Sequence, residues 1–364
     1  MRQPRAEARS RVILALVLLC SACGRNPAQV RWDDDLAALV HAELPPPAEA
    51  DGLLALAARA QRASDAGFAR LEAARTLMPT VPLAAAKVLQ AMALDAPRRP
   101  DRARAHYELA RLAESRGRLA TAVRAYRALV LHYPDEMPGE RALAHLMRIA
   151  RARGDRAVDQ HLAWTRSVAE TLDQTGLGDD LLYQAADEAR ARAERDPTPA
   201  RWDLALQLYS RLIADRPRSP LWNDALWERS WLHHRRHAYE DELLDLRRIL
   251  TLRSASSFIG QDEHVYFWEG QLRIARLLRV QLKRPAEAAR AYLDYAAMFP
   301  KTIKKDDVRF FALCAELSAG HPEVARTLAD LIRREHPDSK FLRRLDAAFA
   351  DPEGPHCLAP EATR

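Results

Sequence analysis

The sharpest candidate for chemistry is His233-His234-Arg235-Arg236-His237, where His233 and His237 stand four apart and could share a helical face to hold a metal ion. No acidic third ligand completes the pattern, and the two arginines between the histidines oppose a cation. The segment therefore reads as solvated or capping histidines. Asp33-Asp34-Asp35 and Glu240-Asp241-Glu242 lack the glycine and spacing of a calcium loop, and they read as solvated faces. There is no phosphate loop, no Gly-x-Ser-x-Gly, no His-Glu-x-x-His and no paired-carboxylate motif on a strand scaffold. The expectation is a protein that is not an enzyme, with no catalytic residues, no cofactor, no metal and no small-molecule substrate.

Recognition is better represented. Trp222, Leu226, Trp227 and Trp231 form an aromatic stripe on one expected helix, with Tyr266, Phe267 and Trp268 clustered on a later one. Aromatics at helical spacing are usually core, and inter-repeat packing is the first reading. The second is a groove for a partner segment, with Trp222, Trp227, Trp231, Tyr266 and Trp268 as the partner-binding residues.

Cysteine carries the remaining chemistry. Arg2, Arg5, Arg9 and Arg11 precede an apolar run, Val12 to Leu19, that is far shorter than the roughly 20 residues needed to cross a bilayer. The run reads as an export signal, and it ends in Leu19-Cys20-Ser21-Ala22-Cys23-Gly24, with small residues directly before a cysteine. This segment resembles the lipobox of bacterial lipoproteins, with Cys20 standing where leucine is usual. The resemblance implies cleavage after Ala22 and acylation of Cys23, and Gly24 resembles the pattern sorted to the outer membrane. In an oxidising envelope Cys314 and Cys357 could pair, with two free thiols as the default reading.

The formal charge of +6 drops to +3 once residues 1–22, with four Arg and one Glu, are removed. Only six of the 56 basic residues are Lys, and no basic tail or aromatic–basic interleaving appears, so nucleic acid is not expected as a partner.

The elements that position these residues read as all-α. From about residue 51 the chain is rich in Ala, Leu, Arg and Glu, poor in Gly, and apolar at helical spacing. Residues 24–50, ending in Pro45-Pro46-Pro47, read as a tether with a stiff extended spacer and one short helix after Asp33-Asp34-Asp35. The body repeats. Ala110, Gly117, Ala122, Tyr126, Leu129 and Pro134 align with Ala193, Ala205, Tyr209, Leu212 and Pro217, and with Ala288, Tyr292, Tyr295 and Pro300. Prolines and tyrosines both advance by 83 residues. Weaker copies flank these, Ala85-Leu89-Pro97 before and Gly320-Ala325-Ile332-Pro337 after, each 37 residues from its neighbour.

These residues resemble a tetratricopeptide repeat (TPR) array, most closely over 103–136. The intervening pairs, roughly 138–172 and 220–251, are longer or degenerate. The junctions Pro217-Arg218-Ser219-Pro220-Leu221-Trp222 and Pro337-Asp338-Ser339-Lys340-Phe341 each supply a Ser suited to cap the next helix, with Pro220 placed for a first helical position. With the lipobox, they resemble envelope TPR lipoproteins of the BamD type, which help assemble outer-membrane barrels.

The expectation is a signal peptide (1–22), a lipidated N-terminus and linker (23–50), an α-solenoid of about six or seven helical hairpins (51–345) and a C-terminal tail (346–364). The resemblance implies a scaffold on the periplasmic face of the outer membrane, bound to the membrane through its lipid and to cell-envelope proteins on a concave surface. Alternative roles are pilus or secretion-system assembly, and support of peptidoglycan synthesis or cell division. The least favoured is a lytic-transglycosylase-like enzyme, because only about 20 residues follow the last repeat.

Overall fold

A computed structural model describes residues 27–172, 175–251 and 265–357; the export signal and Cys23 lie outside the described residues. Among the described residues the regular elements are all helical. They run α1 (Pro27–His41), α2 (Pro46–Arg59), α3 (Ala63–Leu77), α4 (Pro82–Asp95), α5 (Arg99–Ser115), α6 (Leu119–His132), α7 (Met137–Ala152), α8 (Asp155–Thr171) and α9 (Gly176–Arg195). Then follow α10 (Pro199–Asp215), α11 (Trp222–Arg235), α12 (Tyr239–Thr251), α13 (Val265–Val280), α14 (Pro285–Met298), α15 (Lys305–Ser318), α16 (Pro322–Glu335) and α17 (Leu345–Ala350). Among the described residues no helix is long and apolar enough to cross a membrane. The chain divides into two compact units, residues 1–181 and 182–364, and each is an α-solenoid of consecutively packed helical hairpins.

The repeat ruler has a direct structural counterpart. Proline falls two residues beyond the last residue of α4, α6, α10, α14 and α16, at Pro97, Pro134, Pro217, Pro300 and Pro337. In each case the residue just past the helix still donates its N–H to a carbonyl four back, as Tyr133 does to Leu129 at 2.9 Å and Arg216 to Leu212 at 2.9 Å. Proline then ends the helix because it offers no donor and its ring obstructs the preceding turn. Tyr126, Tyr209 and Tyr292 are all fully buried, and so are Ala110 and Ala122, whose small side chains let α5 and α6 approach closely.

Most of the turns inside the hairpins hold a left-handed residue. Gly117, Gly154 and Gly320 supply it with φ of 71°, 90° and 82°. After α11 the same role falls to His237 at φ 58°, and after α13 to Lys283 at φ 53°.

Three expectations are corrected at the ends and junctions. Pro45-Pro46-Pro47 is no extended spacer: Pro46 and Pro47 open α2, where a missing N–H has no cost, and α1 runs through Asp33-Asp34-Asp35. Trp32 and Leu36 bury against α2, and the Trp32 indole donates to Leu56 O at 3.0 Å, so an eighth hairpin precedes the six or seven expected. Ser219 and Ser339 cap no helix. Each accepts from the backbone two residues on, Leu221 at 3.1 Å and Phe341 at 3.2 Å, and Pro220 stays in the turn before α11.

At the C-terminus residues 345–357 fold back instead of forming a tail, and Cys314 and Cys357 are joined in a disulfide, both fully buried, where two free thiols were the default. The buried Arg279 donates to the carbonyls of Cys357 and, at 2.7 Å, Pro352, which fastens this segment to α13.

Candidate functional site

In the first unit, α3, α5 and α7 are the leading helices of three successive hairpins, and their neighbouring faces enclose a cleft of about 310 Å³. Each helix contributes residues at steps of three and four, the helical period that keeps side chains on one face. Phe68, Leu71, Pro100 and Pro138 make an apolar floor, with exposed Met137 at its edge. Arg104 and Arg141 stand exposed beside it; Arg104 lies 3.4 Å from Asp101, and Arg141 makes no ion pair among the described residues.

The wall of the cleft is fixed by charge. Glu108 is buried, and its carboxylate accepts from Arg75 Nε at 2.9 Å, from a second Arg75 nitrogen at 2.7 Å, and from Arg111 at 3.0 Å. Such a carboxylate is tolerable inside only because its lone pairs are taken. Behind Tyr107 runs a chain of polar groups. The Tyr107 hydroxyl and His145 Nε2 are 3.0 Å apart, and His145 Nδ1 and Glu114 Oε2 are 2.8 Å apart. Tyr126 also donates to Glu114 at 2.9 Å, and Arg148 pairs with the same carboxylate. This cluster locks α5, α6 and α7 together. Burial pushes the Tyr107 phenol above its ordinary range, so it stays a neutral hydrogen-bonding group at the cleft wall.

The second unit brings part of the aromatic stripe together. Trp227, 8% exposed, stacks on Tyr266 of α13 with ring centroids 4.9 Å apart, and Trp231 meets Trp227 edge-on at 6.4 Å. The Arg273 guanidinium lies 3.6 Å from the Trp231 centroid. Trp222 and Trp268 belong to separate contacts. The Trp222 indole donates to Ile213 O at 3.0 Å, and the Trp268 ring lies 4.6 Å from Lys304 Nζ. Tyr266 donates its hydroxyl to Asp224 at 2.6 Å.

Beneath the rings, Glu242 is fully buried, a correction to its reading as part of a solvated face. It accepts from Arg273 Nε at 2.7 Å and pairs with His234 at 2.8 Å, binding α11, α12 and α13. The histidine segment resolves into three separate roles. His233 faces Asp245 at 3.7 Å, with burial holding its pKa below the ordinary value. His234 meets Glu242. His237 lies beyond the end of α11 and contacts the Tyr239 hydroxyl at 2.6 Å. Among the described residues no group of three His, Cys, Asp or Glu side chains is placed to hold a metal.

Sequence reasoning missed the α3–α5–α7 cleft. A legible signal existed, because polar and aromatic residues recur at helical steps on each leading helix, in Phe68–Arg75, Arg104–Glu108 and Met137–Arg141.

Residues 104–136, which take in α5 from its sixth residue and all of α6, match the tetratricopeptide repeat family model. Among solved structures, the chain is similar to a kinesin-light-chain protein of Podosopora anserina with nearly identical TPR-like repeats. The identity is 15%, the TM-score 0.31, and the match covers 70% of this chain and 99% of that one. It is also similar to a chain of Naa15/Naa10 bound to HypK-THB, at 15% identity and a TM-score of 0.37, covering 94% of this chain and 53% of that one. No curated protein matches. What the fold and the match define is a helical-repeat protein that carries a tetratricopeptide repeat at 104–136, a fold suited to protein–protein interaction.

Proposed function

We propose that the chain is a scaffold of the bacterial cell envelope, lipid-anchored through Cys23 to the periplasmic face of the outer membrane, that docks an extended segment of a partner protein on the leading helices of its hairpins. The observation that carries this reading is the α3–α5–α7 cleft. Its apolar floor accepts a side chain of the segment, while Arg104 and Arg141 meet its carbonyls or carboxylates. In the second unit the half-buried Trp231 and Tyr266 are the corresponding candidates, with Trp227 as the buried support beside them. A buried Cys314–Cys357 disulfide agrees with an exported protein, since such bonds persist in oxidising compartments.

A photo-crosslinking amino acid in place of Met137, irradiated in envelope preparations, should yield a protein adduct that Arg141→Glu diminishes. The adduct's identity distinguishes barrel assembly from pilus or secretion assembly and from peptidoglycan synthesis. Crosslinks confined to the chain itself would overturn the docking reading. Loss of metabolically incorporated palmitate in Cys23→Ser tests the anchor separately.

A further inference from the structure

Lysine is scarce in this chain, with six residues, yet Lys301, Lys304 and Lys305 fall within five positions of one another. Between them stands Ile303, whose side chain is 94% exposed, the most of any large hydrophobic among the described residues. The turn that carries it is ordered. The Phe299 N–H donates to Tyr295 O at 2.9 Å, Thr302 N–H to Phe299 O at 3.0 Å, and Lys304 N–H to Thr302 Oγ1 at 3.2 Å. Ile303 is thus held out into solvent by its neighbours.

The next junction is fastened beside this turn. Ser339 Oγ donates to Asp306 at 2.7 Å, and Lys340 Nζ lies 3.5 Å from Asp307. These contacts engage the two carboxylates nearest in sequence and bring Lys340 to the patch. Lys301 and Lys305 make no ion pair among the described residues, and Lys304 lies over the half-buried Trp268 ring.

We propose that the Lys301–Lys305 turn is a docking surface for an anionic lipid bilayer, with Ile303 entering the boundary between headgroups and acyl chains while the lysines meet headgroup phosphates. A bilayer rewards both halves of the patch: basic residues are drawn to its negative surface, and an apolar side chain gains by leaving water. A nucleic acid would use the lysines but leave the isoleucine bare. The surface is independent of acylation at Cys23.

The test uses the full chain with Cys20→Ser and Cys23→Ser, the Cys314–Cys357 disulfide intact, and an environment-sensitive NBD dye on Ile303→Cys. Vesicles of phosphatidylglycerol and phosphatidylcholine in equal parts should shift the dye emission to the blue. Pure phosphatidylcholine, inorganic phosphate and a single-stranded oligonucleotide should not. The dye on Val324→Cys, another exposed position, should stay unshifted. Replacing the three lysines with glutamine should weaken vesicle binding about a hundredfold, with circular dichroism checking that the helices persist. Raising salt from about 0.1 M to 1 M shortens the screening length from about 10 Å to 3 Å and should release the unsubstituted chain as well. No shift at position 303, an equal shift at 324 or on pure phosphatidylcholine, or a shift with the oligonucleotide instead would overturn the proposal.

Discussion

The hydroxyl of Tyr126 donates to Glu114 Oε2 at 2.9 Å, while the hydroxyl of Tyr209, the residue 83 positions further on in the same repeat position, is buried with no hydrogen-bond partner among the described residues. One buried ring position thus serves two different ends. Replacing Tyr126 by Phe removes a donor from a charged acceptor and should cost about 1.5–3 kcal/mol, whereas Tyr209→Phe should be neutral or slightly stabilising. Urea unfolding midpoints of the two variants measure the contrast, and equal losses would contradict it.

Glu114 also sets an acid response. Burial acts to raise its pKa, but the bonds from Tyr126 and His145 and the charge of Arg148 outweigh it, and the carboxyl titrates below the usual glutamate range. A depressed folded pKa means the contribution is complete above the unfolded value of about 4.3 and is lost as pH falls through the lower folded one. Glu114→Gln should therefore flatten the loss of stability below about pH 4.3, read as unfolding midpoint against pH.

Gly117 sits at φ 71°, and a Cβ added there would meet nothing within 4 Å. Any penalty for Gly117→Ala is then conformational rather than steric, and it should be about 1 kcal/mol. Thermal unfolding of this variant isolates the requirement for a left-handed turn.

Trp227 lies between Trp231, Tyr266 and the Arg273 network, so Trp227→Ala should destabilise the second unit by about 3–5 kcal/mol. A variant that keeps full stability but loses partner binding would instead make the residue part of a recognition groove.

The Cys314–Cys357 bond closes a separation of 43 residues, for which chain entropy gives about 4 kcal/mol. Reduction, or replacement of both cysteines by serine, should lower the thermal midpoint and speed proteolysis after residue 345. Little change would show that Arg279 and packing suffice to hold the C-terminal segment.

What the sequence alone determined was periodic and local. The recurrence of Tyr126, Tyr209 and Tyr292, the prolines that end α4, α6, α10, α14 and α16, and the turn glycines Gly117 and Gly320 are set by neighbours a few residues away, so they are legible wherever they occur. Local signals also misled, because Pro45-Pro46-Pro47 suits a helix start as well as an extended spacer. Only burial of Trp32 against α2 decides between them.

The rest belonged to tertiary structure. Glu242 looks solvated until Arg273, 31 residues away, is packed beside it, and whether Cys314 and Cys357 pair or stay free is decided only when the segment after α16 folds back. The α3–α5–α7 cleft joins Phe68 to Arg141 only after three hairpins stack. Helix packing sets these contacts through angles and offsets that the helical period does not encode, and a side chain's role changes with the neighbour that removes its water.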